Sequence, residues 1–265
     1  SIQVVSTLGS GSFGAIYRVE RTTDGTLFAM KIEPLDCKKQ MLKVEYQVMK
    51  CANKAKSPFF CQALEKGIME GRFAFIIMQL VYKNLWHLRA EAPDHCFSLN
   101  TALRTAEQCL ASVRDLHGFY YLHRDIKPPN FAIGRKEDKK LNTVFMLDFG
   151  LCRKFRTHDG LIKKSRTIAP FRGTTRYASC ATLRNEEQCM KDDIEAWFYM
   201  VVEFTIGILP WHNIKEREDV LAKKNEWRKK EIFDEHMKKG PVKEFRKILD
   251  YIDSLSYESI PDYSG

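Results

Sequence analysis

The sequence contains no Cys-x-x-Cys pair, no long uninterrupted apolar run and no internal repeat. Because its eight cysteines are scattered, a zinc site, a redox motif and a small disulfide scaffold are disfavoured, and we expect free, mostly buried thiols. The longest apolar run, residues 194–211, carries Glu195 and Glu203 and falls short of the ~20 apolar residues of a membrane-spanning helix. The first residues also lack the basic start and apolar core of a secretory signal. We therefore expect a protein of the cytoplasm, with the nucleus also open, that does not act at a membrane.

The composition is that of a folded chain with a buried core. Of its 265 residues, 44% are hydrophobic and 29% charged, so disorder, collagen and coiled coil are excluded as whole-chain structures. The net charge is +9, from 43 basic and 34 acidic residues. Residues 151–177 hold eight basic side chains against one acid, which indicates that an anion is met there. Nucleic acid is disfavoured as that anion, because few stacking aromatics lie among the charges.

Hydrophobic periodicity divides the chain into a strand-rich first part and a helical remainder. Within the first 80 residues, β-rich runs occur at 4–8, 15–19, 26–32 and 73–80, and helical spacing at 38–51. Further segments of helical spacing lie at 101–117, 193–206, 216–230 and 242–255. We expect 193–206 to be buried on nearly all sides. The apolar face predicted for 101–117 consists of Leu103, Ala106, Leu110, Val113 and Leu116.

A glycine-rich segment, Gly-Ser-Gly-Ser-Phe-Gly at 9–14, lies between the first two predicted strands. Missing side chains let backbone N–H groups approach phosphates, although the segment alone could also be a flexible hairpin turn. A dinucleotide fingerprint is excluded, because no helix opens at Gly14 and no acid follows a second strand about 20 residues on. If the segment has a function, it covers a nucleotide.

A lysine and a glutamate follow the glycine-rich segment. Lys31 ends the third predicted strand, and Glu45 lies on the predicted helix. A lysine so placed can bind α- and β-phosphate oxygens while the glutamate fixes it through an ion pair. Each residue alone is more simply a surface charge.

The strongest signal is His-Arg-Asp-Ile-Lys-Pro-Pro-Asn at 123–130, followed by Asp-Phe-Gly at 148–150. Phosphoryl transfer from MgATP needs a carboxylate that accepts the proton of the attacking hydroxyl, and oxygen ligands for Mg²⁺. Asp125 suits the first role, and Asn130 and Asp148 suit the second. Two polar turns could explain either motif separately, but not the ordered set of motifs.

With these motifs, essentially the whole chain resembles a eukaryotic protein kinase of the casein kinase 1 superfamily. The resemblance also rests on Gly-Thr-Thr-Arg-Tyr-Ala-Ser at 173–179, Leu-Pro-Trp at 209–211 and Pro-Asp-Tyr at 261–263. It looks closest to the tau-tubulin kinase branch at residues 78–80, 130–132, 146–151 and 198–204.

The resemblance implies an α+β, bilobal protein kinase fold over 1–265. A small β-rich N-terminal lobe would span 1–79, a hinge 80–84, and a larger, mainly α-helical C-terminal lobe 85–265, with ATP between the lobes. Relatives continue into one more helix, so we expect a catalytic domain trimmed from a longer chain.

The same resemblance implies the catalytic set. Lys127 would bind the γ-phosphate, and Thr174 would bridge Asp125 and Lys127, which favours serine or threonine over tyrosine as acceptor. Asp193 would brace the backbone at 123–124. Asn130 and Asp148 would hold Mg²⁺. The implied catalytic residues are Asp125, Lys127, Lys31, Glu45 and Thr174.

For ATP, the resemblance implies a gatekeeper at Met78 and bonds from the backbone of Gln79 and Val81 to the adenine edge. Ile16, Ala29 and Ala132 would sandwich the adenine ring. The implied ATP-binding residues are Leu8, Gly9, Ser10, Gly11, Ser12, Phe13, Gly14, Ile16, Ala29, Lys31, Met78, Gln79, Leu80, Val81 and Ala132.

Casein kinase 1 relatives also imply a reason for the positive segment. Arg176, Gly207 and Lys215 match positions of an anion pocket for a phosphate already on the substrate, and a guanidinium suits that task. The alternative is that Arg176 pairs with an internal carboxylate. Regulation is open too: a phosphate on Thr157, Ser165 or Thr167 could order the basic segment, although the resemblance points to activity without it.

Two positions depart from the family pattern. Ser-Cys-Ala stands at 179–181, where close relatives have Ser-(Ile/Val)-Asn, so the anchoring of this segment is in doubt. Pro129 replaces Ser, Asp or Glu and stiffens the catalytic loop.

The sequence therefore predicts a monomeric serine/threonine protein kinase that uses ATP and Mg²⁺. Its substrates would be acidic or phosphate-primed protein segments, possible cytoskeletal proteins among them. Two alternatives are a catalytically silent kinase-like scaffold, which the intact catalytic set disfavours, and a nucleic-acid-binding module.

Overall fold

The strand-rich first part of the chain forms an antiparallel sheet of five strands. They are β1 (Ile2–Gly11), β2 (Gly14–Arg21), β3 (Leu27–Pro34), β4 (Ala63–Met69) and β5 (Phe73–Gln79), in the order β1-β2-β3-β5-β4. The structure is a computed structural model, and it describes residues 1–11, 14–37 and 40–264. Four strands agree with the predicted runs. The sequence pattern misses β4 because its run, Ala-Leu-Glu-Lys-Gly-Ile-Met, has no alternation of apolar and polar residues.

Helix α1 (Met41–Ala55) covers this sheet, and it contacts β3, β4 and β5. The helix buries one stripe of side chains, which contains Leu42, Val48, Met49 and Ala52 together with the carboxylate of Glu45. It ends at Lys56, whose left-handed backbone (φ 56°) returns its N–H to carbonyls of the last turn. The predicted helix begins earlier, at Lys38, which lies outside the described residues together with Lys39.

The remaining elements are mainly helical. The helices are α2 (Leu85–Glu91), α3 (Leu99–Gly118), α4 (Cys180–Leu183), α5 (Met190–Ile206), α6 (Arg217–Trp227), α7 (Lys230–Met237) and α8 (Val242–Ser254). Two small antiparallel pairs join β6 (Tyr121–Leu122) to β9 (Arg153–Lys154), and β7 (Phe131–Ile133) to β8 (Val144–Met146). Within the described ranges, no helix combines the length and apolar character needed to cross a bilayer.

The chain divides by its contacts into two units. The first contains Ser1–Lys83 and Phe131–Cys152, and the second contains Asn84–Asn130 and the residues from Arg153 onward. Residues 131–152 belong with the first unit because the amide of Met146 donates to the carbonyl of Phe59 (2.8 Å) and that of Tyr82 to Ile133 (2.8 Å). The sequence-based division at 79–85 treats the second lobe as continuous in the chain, and it differs from the contacts at this segment.

Helix α5 forms the centre of the second unit. From Met190 to Phe204 every residue except Lys191 is buried, as predicted for a helix apolar on nearly all sides. α5 packs against α3 and α8. Its Tyr199 ring meets Trp211 edge-on, with ring centroids 5.0 Å apart, and Trp227 at 6.1 Å. Truncating one such buried ring costs about 3–5 kcal/mol.

The apolar face predicted for α3 is wrong at one position. Leu103 is 45% exposed, whereas the smaller Ala102 and Cys109 are fully buried with Val113 and Leu116. Small residues let the helix approach α5 closely, and the larger leucine is left on the outside. All eight cysteines are free thiols and five of them are buried, as expected.

Candidate active site

The glycine-rich segment forms the end of the β1–β2 hairpin, where Gly11 pairs with Gly14. A Cβ atom at Gly9 or Gly11 would have no atom within 4 Å, so the backbone here faces open space. At Gly14 the backbone has φ +144°, and a Cβ atom would lie 1.9 Å from the carbonyl oxygen of Ile32. Only glycine fits there. The predicted ATP contacts Ser12 and Phe13 lie outside the described residues.

Lys31 lies at the centre of a charged group in the first unit. Its Nζ is 2.5 Å from Glu45 Oε2 and 3.0 Å from Asp148 Oδ1. Glu45 is buried, whereas the Asp148 side chain is half exposed. Burial alone would lower the pKa of Lys31, but the two carboxylates outweigh it and raise the pKa above its ordinary value. The lysine therefore carries a permanent charge where phosphate binding is predicted.

The residues predicted to surround adenine all belong to this first unit. Ala29 pairs with Met78 across the β3–β5 ladder, and both are buried, as is Ala132 on β7. Ile16 pairs with Lys31 on the neighbouring strand. Of the other predicted contacts, Leu8 and Ser10 are exposed on β1, and Leu80 is buried after β5.

The predicted backbone contacts to the adenine edge lie where β5 ends. The amide of Gln79 is already bonded to the carbonyl of Gln62 (2.9 Å). The amide of Gln79 is therefore not available to a ligand. Val81 follows the strand and is partly exposed.

In the second unit, Asp193 holds the backbone of the catalytic loop. Its carboxylate accepts the amide of His123 (2.7 Å) and that of Arg124 (2.9 Å). Arg124 has a left-handed backbone (φ 69°), a strained conformation for a non-glycine residue. Burial would raise the pKa of Asp193, but these hydrogen bonds and the nearby histidines keep it below its usual value. Asp193 is therefore a charged brace of this loop.

The side chains of Asp125 and Lys127 both contact Thr174, which lies in the segment after β9. Thr174 donates its hydroxyl to Asp125 Oδ1 (2.7 Å) and accepts from Lys127 Nζ (3.0 Å). Lys127 Nζ also lies 2.7 Å from Asp125 Oδ2. The Asn130 side-chain amide donates to the carbonyl of Asp125 (2.9 Å). A carboxylate, a lysine and a carboxamide thus meet in one small group.

Pro129 fits the loop. It lies within a single 3₁₀ turn, Pro128–Asn130, which the amide of Asn130 closes onto the carbonyl of Lys127 (3.0 Å). The ring therefore displaces no hydrogen bond of this turn.

The segment around Ala181 is anchored by groups that sequence reasoning missed. The amide of Cys180 donates to Glu195 on α5 (2.9 Å), and Ser179 Oγ donates to Asp192 (2.5 Å). The fully buried Lys224 donates to the carbonyl of Ala178 (2.5 Å). Glu195 interrupts the longest apolar run of the sequence, and a carboxylate in such a run is a signal of a buried partner.

That partner of Glu195 is Arg228, whose Nη2 lies 2.7 Å away. Tyr199 also donates its hydroxyl to Glu195 (2.6 Å). The anchoring that the change at position 181 put in doubt is therefore supplied from α5 and α6.

Glu187 neutralises part of the basic segment. Its buried carboxylate is paired with both Arg153 and Arg166. Burial would raise the pKa of Glu187, but these arginines, with Arg124 nearby, keep it below the ordinary value. Two of the eight basic side chains of 151–177 therefore pair with this one carboxylate.

The predicted anion pocket is only partly assembled. Arg176 pairs with Glu203 (3.3 Å) and donates to the carbonyl of His212 (3.0 Å), so the alternative of an internal carboxylate partner is present. Arg89 lies 3.6 Å from the same carboxylate and donates to the carbonyl of Gly207 (2.8 Å). Lys215 is exposed. Two guanidinium groups therefore share one carboxylate.

These features define a class of protein: a phosphotransferase domain with a glycine hairpin, a paired lysine and an Asp–Lys–Thr group. The family model of the protein kinase domain matches residues 2–256. The chain therefore belongs to the protein kinase domain family. The predicted kinase fold, with a β-rich first lobe and a helical second lobe, is confirmed, and so is the prediction of a protein kinase.

Curated relatives support the same family. The chain is 35% identical over 270 residues to the serine/threonine-protein kinase spe-6 of Caenorhabditis elegans, covering 98% of this chain and 68% of that protein. It is 33% identical over 260 residues to a "probable serine/threonine-protein kinase" of Dictyostelium discoideum, covering 98% and 51%. It is 31% identical over 272 residues to casein kinase I homolog 1 of Saccharomyces cerevisiae, covering 97% and 48%. The chain thus spans about half to two thirds of the length of these relatives.

Proposed function

We propose that this domain is a serine/threonine kinase that transfers the γ-phosphate of MgATP to hydroxyls in acidic or phosphate-primed protein segments. The observation that carries the proposal is the group formed by Asp125, Lys127 and Thr174, with hydrogen bonds of 2.7 and 3.0 Å to the Thr174 hydroxyl. It combines a carboxylate that can accept a proton with a cation that can bind the transferring phosphoryl group.

In this reaction Asp125 accepts the proton of the substrate hydroxyl. The hydroxyl oxygen forms a bond to the γ-phosphorus as the bond from phosphorus to the β,γ-bridging oxygen breaks, and ADP leaves. Lys127 stabilises the charge on the moving phosphoryl group, and Lys31, fixed by Glu45, binds the phosphates that remain.

Kinases of this family generally use Mg²⁺, and the residues present suit it. Asp148 offers a half-exposed carboxylate in the first unit, and Asn130 a carboxamide oxygen in the second. Both are hard oxygen donors of the kind this ion prefers. When bound, the ion neutralises charge on the phosphates.

Phosphate-primed substrates are proposed from the charge around Glu203. Arg176 and Arg89 together carry two positive charges against one carboxylate, and the match to the family pattern adds the exposed Lys215 as a third cation. A doubly charged phosphate would complete this balance.

Kinase activity without prior phosphorylation of the basic segment is also proposed. Glu187 already occupies Arg153 and Arg166, so the cations that would meet a phosphate on Thr157, Ser165 or Thr167 are partly neutralised. Four further proposals rest on the sequence alone. They are cytoskeletal substrates, membership of the tau-tubulin branch, a monomeric state and a cytoplasmic or nuclear location.

The test is transfer of labelled γ-phosphate from MgATP to casein and to serine, threonine and tyrosine peptides, with Asp125→Asn as control. Transfer to serine and threonine that the control abolishes supports the proposal. Folded protein that binds MgATP but transfers nothing would favour the silent scaffold.

The anion pocket is tested with one serine peptide in primed and unprimed form. Lys215→Ala is the sharper variant, because Lys215 has no hydrogen bond or ion pair to any described residue and its loss should leave folding intact. Arg176→Ala removes the paired cation. An unchanged ratio of primed to unprimed activity in both variants would refute the pocket.

A further inference from the structure

The Pro-Asp-Tyr segment at 261–263 is a family signature in the sequence to which no role has been attached. In the structure the hydroxyl of Tyr263 is hydrogen-bonded to Nδ1 of His117, near the end of α3. The two rings meet edge-on, with centroids 5.9 Å apart. Pro261 beside it is buried. The end of the described chain is therefore packed against α3.

His117 also connects Tyr263 to the catalytic loop through Asp193. Its other ring nitrogen, Nε2, lies 2.9 Å from Asp193 Oδ2, and both side chains are buried. The same carboxylate holds the amides of His123 and Arg124. An unbroken series of hydrogen bonds thus runs from Tyr263 to the backbone two residues before Asp125.

The direction of the hydrogen bond between His117 and Asp193 follows from the groups involved. Asp193, whose pKa is held below its usual value, is a carboxylate and can only accept, so His117 Nε2 must donate to it. Burial and the charge of Asp193 raise the pKa of Tyr263, so its hydroxyl keeps its proton and can donate to Nδ1. Hydrogen on Nε2 therefore satisfies the contact to Asp193, and the Tyr263 hydroxyl can serve the contact at Nδ1.

We propose that Tyr263 is a positioning residue for phosphoryl transfer: its hydroxyl fixes the ring of His117, which orients Asp193 and through it the backbone of the catalytic loop. The inference rests on the proposed kinase function. It gives the terminal segment a role in catalysis at a distance, because Tyr263 bonds His117 and does not itself meet the reacting group.

The segment 261–264 is also held by hydrogen bonds that do not involve the Tyr263 hydroxyl. The amide of Asp262 donates to the Tyr251 hydroxyl (2.6 Å), and Ser264 donates to Asp262 Oδ1 (2.7 Å). Tyr263→Phe should therefore remove one hydrogen bond while the ring and the segment stay in place. Tyr46→Phe, a tyrosine of α1 whose hydroxyl makes no hydrogen bond within the described chain, is the matched control.

The first readout is kinetic. In Tyr263→Phe we expect kcat to fall roughly three- to ten-fold, the factor that corresponds to one ordinary hydrogen bond, with KM for ATP unchanged. Tyr46→Phe should match the parent. A merely structural role would lower the melting temperature and leave the kcat of the folded fraction unchanged, and that result would overturn the proposal.

The second readout does not depend on activity. Hydrogen exchange at the amides of His123 and Arg124 should become faster in Tyr263→Phe by a similar factor, since these amides report on Asp193. In ¹⁵N-histidine spectra the parent should show His117 with hydrogen on Nε2, and its Nδ1 signal should move in the variant; His117→Gln assigns the signal.

Unchanged exchange and unchanged histidine signals would refute the hydrogen-bond series even if the parent transfers no phosphate. If the parent is inactive but hydrogen exchange is faster in Tyr263→Phe than in the parent, the proposed kinase function is refuted and the structural coupling stands. The two failures are therefore distinguishable.

Discussion

The substitution Glu195→Gln should destabilise this domain more than any surface charge change of the same kind. Glu195 is 1% exposed, and its carboxylate meets Arg228 at 2.7 Å, the Tyr199 hydroxyl at 2.6 Å and the Cys180 amide at 2.9 Å. Glutamine keeps the size of the side chain and can still accept a hydrogen bond, but the charge opposite Arg228 is lost. The substitution therefore isolates the ion pair.

The magnitude follows from what Arg228 retains. Removing one partner of a buried ion pair costs about 3–5 kcal/mol, because the remaining charge is left without compensation. Arg228 keeps a second carboxylate, Asp253 at 3.2 Å, which is 41% exposed, so we expect the lower end of this range. A loss of about 3 kcal/mol in a domain of this size lowers the melting temperature by roughly 6–10 °C.

The assay is thermal unfolding of the parent and of Glu195→Gln, with Glu186→Gln as the matched control. Glu186 pairs with Arg184 at 2.6 Å, but both side chains are about half exposed, and such pairs contribute about 0–1 kcal/mol. The double variant Glu195→Gln/Arg228→Met should recover part of the loss, since it removes the uncompensated charge.

The pH dependence of this difference has a definite sign. Burial would raise the pKa of Glu195, but Arg228 and the hydrogen bonds lower it below the ordinary glutamate value. A lowered carboxyl pKa contributes stability above the unfolded pKa and loses it as the pH falls through the folded pKa. The difference in melting temperature between the parent and Glu195→Gln should therefore become smaller as the pH falls into the acid range. A melting temperature of Glu195→Gln equal to that of Glu186→Gln would refute the reasoning.

Three further predictions concern other positions. Gly14→Ala should unfold at clearly lower urea than Gly11→Ala, because only the first Cβ meets a backbone oxygen; equal midpoints would contradict this. Glu187→Gln should lower kcat at least several-fold by releasing the two arginines, and parental activity would show that they need no anion. Burial raises the pKa of Asp192 to about 6, so its charge costs stability as the pH rises from 4 to 7. In urea melts, the free energy of unfolding of Asp192→Asn should rise relative to that of the parent between pH 4 and pH 7. A difference in unfolding free energy that does not change with pH would contradict this.

The sequence by itself determined the class of the protein and the order of its motifs. The motifs at 9–14, 123–130 and 148–150 are contiguous, and their chemistry is local: a glycine must stand where a Cβ would strike a carbonyl, and a carboxylate must accept a proton. The β-rich runs and the buried helix α5 could be predicted for the same reason, since burial leaves a periodic pattern in neighbouring residues. The residue roles implied by the resemblance stay predictions, and the structure adds geometry consistent with them.

Tertiary structure alone decided which distant side chains meet. Glu195 and Arg228 are 33 residues apart in the chain, and His117 and Tyr263 are 146 apart. No spacing rule connects such pairs, because their contact depends on how α3, α5 and α6 pack and not on local backbone period. The sequence also missed strand β4, and it wrongly placed Leu103 on the buried face of α3. The run of β4 has no alternation to read, and a helix face is chosen by the size of the residues its neighbour can accept.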